Sequence, residues 1–212
     1  DWWWYQEVGF TEIFIKSLSA KIIVGALAGF LAAAFLLTNL SFAIRSKIPW
    51  IAAIPEALVG QPVSLNSRII GKLGIILNCV LALFIAFLAS SSWHDVLKFL
   101  SSVPFGQKDP IFGQDVSFYV FSLPVFSLGL GLIKTVTVIS LIGCGAIYIL
   151  RGSLNLSGIL GKFDLSKLTG KPGSLILKSA KNQISDPKAR LHIGILLSLF
   201  FTTIAIGTYL SL

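Results

Sequence analysis

Few residues in this chain have the chemistry to form a site, and their spacing restricts what each could do. Lys134 is the most telling. It lies eleven residues beyond Leu123, where a long apolar run begins, and so about 16 Å along a helix. That depth puts an amine near the midplane of a bilayer, where a charge costs about 2.5–3.5 kcal/mol or more. Thr137 follows one turn later on the same face, with Thr135 and Ser140 nearby. Intramembrane lysines face a bundle interior or a water-filled path. Lys134 and Thr137 are therefore the candidate intramembrane polar site, serving either an ion or proton path or a structural pairing. No carboxylate lies midway along the other apolar runs, which leaves a hydroxyl, a carbonyl or another chain as the partner.

The remaining candidates point to no reaction. Cys79 and Cys144 fall within apolar runs, where a thiol lacking an electropositive neighbour is a poor nucleophile. They are expected to be small packing residues. His94 and His192 are expected at opposite membrane faces, too far apart to share one metal or haem. Each could still act as a single axial ligand, but a polar interfacial residue is the plainer expectation. Asp109 and Asp115 bracket a turn, and two carboxylates fall short of the roughly six to eight oxygens that calcium takes. A turn-stabilising role is expected for both. No two-cysteine metal spacing and no phosphate loop ending in Lys-Ser/Thr occurs. The sequence thus assigns no catalytic, cofactor-binding or metal-binding residue, and an enzyme is not expected.

The elements that hold these residues follow from composition. Of 212 residues 55% are hydrophobic and only 12% charged, about half the charged share of a soluble domain. So apolar a chain cannot cover itself with polar surface in water. The expected fold is all-α, a multi-spanning transmembrane helix bundle with short interfacial helices, forming one transmembrane domain over residues 1–212. Four runs supply the roughly 20 apolar residues that a span needs: about 13–44, 70–92, 122–150 and 191–212. Solid apolar blocks without alternation argue against a β-barrel. Helix is expected from near Thr11 to near Ile44, with Glu12 and Lys16 covering its exposed start. Ser122 is the expected cap of the third span, with Pro124 in its first turn.

The formal net charge of +8 concentrates in two connections, 45–69 and 151–190. Arg45, Lys47 and Arg68 oppose a lone Glu56 in the first, with Lys72 just beyond it. Eight basic residues oppose Asp164 and Asp186 in the second. The connection 93–121 is slightly acidic. By the positive-inside rule both basic loops face the cytoplasm and both chain ends lie outside it. Lys16 and Lys21 dissent, and are read as lysines snorkelling to the interface. The expected partners are the lipid bilayer, anionic headgroups beside the basic loops, and other membrane subunits or further parts of the same protein. Nucleic acid is not among them, because the charge lies in connections and not on a folded face.

Between the spans, Asp1-Trp2-Trp3-Trp4-Tyr5 reads as an interfacial anchor. Trp93–Leu100 reads as a short surface helix, with Trp93, Val96, Leu97 and Leu100 at helical spacing. Ile48–Val59, punctuated by Pro49 and Pro55, reads as an interfacial or docked segment. Gly25 and Gly29 in the first span, and Gly194, Ser198 and Thr202 in the fourth, form small-residue rows that let helices approach closely.

Two phrases carry a family resemblance. One is Asp1-Trp2-Trp3-Trp4-Tyr5-Gln6-Glu7-Val8-Gly9. The other runs from Asp109 to Pro124 and includes Pro110, Phe112, Gly113, Asp115, Ser117, Phe118 and Tyr119. Together they resemble the uncharacterised protein family 0182, large prokaryotic membrane proteins with no settled function. The resemblance covers essentially the whole chain but only the front portion of a family member. It implies further spans and a large extracytoplasmic region elsewhere in the protein, and it transfers no catalytic residue. With no Met present, the chain reads as an internal portion of a longer protein. The expected role is a scaffold or accessory component of a larger membrane protein or complex, in a prokaryotic plasma or internal membrane. The alternative is a transporter or channel-like protein using Lys134.

Overall fold

The computed structural model describes residues 1–45, 67–150 and 187–211. Among them the secondary structure is helical, with no strand and one isolated antiparallel bridge between Lys108 and Asp115. The helices are α1 (Trp2–Glu7), α2 (Thr11–Ile44), α3 (Ser67–Ser90), α4 (Trp93–Leu100), α5 (Leu123–Leu150) and α6 (Pro187–Leu210), with a π-helical turn at Phe118–Ser122 before α5. Four stretches are long and apolar enough to cross a membrane: Thr11–Ile44, Gly71–Ser90, Phe118–Ile149 and Pro187–Leu210. A helix satisfies its own backbone donors and acceptors, so such runs need no water along their length. The chain is an all-α membrane protein. Ile48–Val59 and most of the two basic connections lie outside the described residues.

The third span begins differently from the sequence expectation. Ser122 does not cap a helix there. The helical run passes through it as a π-turn, in which the Leu123 amide reaches back to the Phe118 carbonyl. Pro124 has no amide hydrogen to give the usual bond, and a widened turn just upstream accommodates that loss.

Two compact units divide the chain. The first takes Asp1–Leu36, Ile76–Val136 and Phe200–Leu212; the second takes Leu37–Ile75 and Thr137–Leu199. In the first, small residues set how closely α2 meets α3. Ala28, Ala32 and Leu36 are buried on α2, and Ala82, Ile85 and Ala89 on α3. A β-carbon at Gly29 would stand 2.7 Å from the Ala86 Cβ, and one at Gly25 would stand 3.0 Å from the Ala86 carbonyl oxygen. The Gly25/Gly29 row is therefore a point of near backbone contact. Gly9, at φ +75°, turns the chain from α1 into α2, where Trp2 and Tyr5 pack on Phe14 with ring centroids 5.4 and 5.3 Å apart. Lys21 of α2 lies 5.2 Å over the Trp93 ring, a cation–π contact that ties the start of α4 to the span.

In the second unit the core joins Leu40 and Ala43 of α2 with Cys144, Ile147 and Tyr148 of α5 and Ala189 of α6. Along α6 the buried positions are Ala189, Leu196 and Thr203. Gly194, Ser198 and Thr202 lie on the exposed side, and a β-carbon at Gly194 would meet nothing within 4 Å. That row is an open face of this helix, in contrast to the row at Gly25 and Gly29.

Gly29→Leu should push α2 from α3 and lower stability by about 1–3 kcal/mol, the usual range for overpacking. Gly194→Ala should leave stability nearly unchanged. Thermal unfolding of the detergent-solubilised protein checks the pair, and equal losses would contradict the packing described.

Candidate functional site

Polar chemistry collects in three places. The first is a groove of about 580 Å³ in the first unit, formed along α5 and α6. Leu123, Ser127, Leu130, Gly131 and Lys134 line one wall; Thr203, Ile204, Gly207, Thr208 and Ser211 line the other. Lys134 is exposed on it, at the midpoint of the apolar run Phe118–Ile149. Three of the groove hydroxyls turn into their own helix: Thr203 donates to the Phe200 carbonyl, Thr208 to Ile204 and Ser211 to Thr208. Such back-bonding is how hydroxyls are tolerated in a span. It leaves the Lys134 ammonium as the strong donor in the groove. Thr137 belongs to the second unit, where it is fully buried, so the two residues of the candidate polar site occupy different surroundings.

The second place was not read from the sequence. In the second unit His192 Nε2 lies 2.8 Å from Asn39 Oδ1, and His192 Nδ1 lies 2.8 Å from the Tyr148 hydroxyl. Asn39 Oδ1 can only accept, so Nε2–H donates to it, while the Tyr148 hydroxyl can either donate to Nδ1 or accept from it. Both ring nitrogens are thereby engaged. The Cys144 thiol donates to the Asn39 carbonyl at 3.5 Å. Three helices meet through this set: α2 at Asn39, α5 at Cys144 and Tyr148, and α6 at His192. His192 is thus a bridge between helices where an interfacial polar residue was expected. Haem ligation there would require breaking one of its two bonds. Both cysteines are free, Cys144 buried and Cys79 exposed. Among the described residues no group of three or more His, Cys, Asp or Glu could hold a metal.

The third place is the loop before α5, where the two carboxylates organise backbone. Asp115 accepts from the amides of Phe105, Gly106 and Ser117 at 3.1, 2.9 and 2.8 Å. The Ser117 bond makes it the cap of the helical run that follows. Asp109 accepts from the Phe112 amide at 2.8 Å and from the Tyr119 hydroxyl at 3.1 Å. Gly106 and Gly113 hold left-handed φ values of +70° and +66° at the bends. The phrase from Asp109 to Pro124 is therefore one folding unit, a loop locked to a helix start. Hydrogen bonds to the ionised form favour it. The Ser117 donors, then Phe105 and Gly106, pull the Asp115 carboxyl down to about 2. The Phe112 amide and Tyr119 hydroxyl pull Asp109 below the ordinary carboxylate value. His94 sits exposed beside Trp93 on α4, away from any such network.

His192→Ala removes both ring hydrogen bonds and should destabilise the protein by about 1–3 kcal/mol; Tyr148→Phe should give the smaller loss. Thermal unfolding of both variants reads this, and an unchanged His192→Ala would refute it. The loop has its own pH dependence. Because the Asp115 value is depressed on folding, its contribution is complete above 3.8 and fades as pH falls toward about 2. Protection of the Phe105, Gly106 and Ser117 amides from hydrogen exchange, taken relative to the intrinsic rate at each pH, should fall across that window and should already be lost at pH 6 in Asp115→Ala. Equal protection in the two proteins would contradict it.

Against known proteins, the profile of the Uncharacterised protein family (UPF0182) matches residues 1–212. The chain is 31% identical over its whole length to a UPF0182 protein of Geotalea uraniireducens and covers 21% of it. It is 30% identical over 99% of its length to one of Trichlorobacter lovleyi, again covering 21%. A third, from Saccharopolyspora erythraea, is 33% identical over 80% of this chain, with 18% of the relative covered. The chain thus spans about a fifth of the length of the relatives it matches. No solved structure matches it. With the family profile covering every residue and both signature phrases present, the chain belongs to UPF0182.

Proposed function

We propose that this chain is a membrane-embedded scaffold: a helix bundle that anchors and positions the rest of a larger membrane protein or complex, without catalysing a reaction. The observation that carries this reading is the Asn39–His192–Tyr148 set, whose hydrogen bonds are directed at one another across three helices. A reactive imidazole needs a free nitrogen facing a substrate, and this one spends both on holding helices together. Both Asp115 oxygens accept from backbone amides, and Asp109 Oδ2 accepts from the Phe112 amide and the Tyr119 hydroxyl. At most 28% of the most apolar window in any span is buried within the chain, which leaves broad faces for lipid and for other spans. The organisms of its relatives support a prokaryotic plasma or internal membrane. The basic connections fit the cytoplasmic side with its anionic headgroups, and both ends of the chain the opposite side.

A transport function is the second reading, favoured by the Lys134 groove. The two separate in one experiment on the full-length protein. The scaffold reading expects the protein to leave native membranes in mild detergent with stoichiometric partners, and to carry no ion flux in proteoliposomes. A solitary protein whose flux disappears in Lys134→Ala would overturn it in favour of transport.

A further inference from the structure

The groove in the first unit supports an inference that rests on the scaffold reading above and gives it a specific partner. Lys134 stands at the midpoint of an apolar run, exposed on the groove, with no hydrogen bond or ion pair among the described residues. From that depth a lysine stem is too short to carry its ammonium to the headgroups. An anion at the same depth would offset the cost of that charge. Lipid phosphates lie at the bilayer surface, half of the roughly 30 Å core away. The groove walls also bring small residues, Gly131, Gly207 and Ser127, to a surface along which a helix backbone could approach closely. About four-fifths of the length of this chain's relatives lies outside the matched portion.

We propose that the groove seats another membrane-spanning segment of the full-length protein, and that an Asp or Glu on that segment pairs with Lys134. Three groove hydroxyls already donate to their own helices, so the ammonium is the principal donor there and selects an acceptor. A carboxylate meets that requirement, and pairing cancels both charges where neither could stand alone.

The test uses full-length protein in native membranes with a photocrosslinking amino acid at Leu210, on the groove wall, followed by mass spectrometry. The expected product joins Leu210 to a span of the same protein that contains an Asp or Glu. Lys134→Glu should reduce that crosslink about tenfold or more, and Lys134→Arg should retain it. Reversing the captured carboxylate to Lys in the Lys134→Glu background should restore the crosslink, which separates a lost pair from a misfolded variant. Capture of lipid alone, or of a peptide without a carboxylate, would overturn the proposal. So would failure of the reversed pair to restore capture. The scaffold reading is judged apart from all of these, by whether partner subunits co-purify.

Discussion

A hydrocarbon layer offers no water, so every polar group entering it must find a partner within protein. That constraint organises what is described here. It accounts for the long helices, whose backbone groups are satisfied internally, and for the serine and threonine hydroxyls that donate back to their own helix. It also accounts for the Asn39–His192–Tyr148 set, in which three polar side chains from three helices satisfy one another. The π-turn before α5 follows the same rule, since Pro124 removes a donor and the chain widens upstream of the gap. Among the described residues Lys134 and the buried Ser140 hydroxyl have no such partner.

The spans were legible in the sequence because a membrane helix is defined by a local property, an apolar run of sufficient length. The short helix from Trp93 was legible for a similar reason, its apolar residues recurring at helical spacing. Gly25 and Gly29 could be read as a packing row, but Gly194, Ser198 and Thr202 make the same pattern and lie on an open face. Spacing shows that a helix can approach there; which face has a neighbour is decided by the other helices. The histidine network was not legible, because Asn39 and His192 lie 153 positions apart. Nothing in a linear sequence marks a lone asparagine as the partner of a distant ring. The one available signal was that Asn39, Tyr148 and His192 are all polar residues toward the ends of apolar runs, where an unpaired group is expensive.

Membership in UPF0182 fits these features without assigning a reaction. The family phrase from Asp109 to Pro124 becomes intelligible as structure: two carboxylates gather the loop amides, two glycines make the bends, and the proline shapes the entry into a span. Asp109, Asp115, Asn39, Tyr148 and His192 each hydrogen-bond to other groups of the chain. The scaffold reading extends this observation to the whole protein, of which the chain corresponds to about a fifth of the length in its relatives.

The central claim is that this bundle completes its polar surfaces with other membrane segments. A cryo-electron microscopy structure of the full-length protein in a lipid nanodisc tests it most directly, at the groove beside Lys134. The account predicts helical protein density along Ser127, Gly131 and Gly207, with a carboxylate within ion-pair distance of the Lys134 ammonium. A groove filled by lipid tails or continuous with bulk water would contradict it.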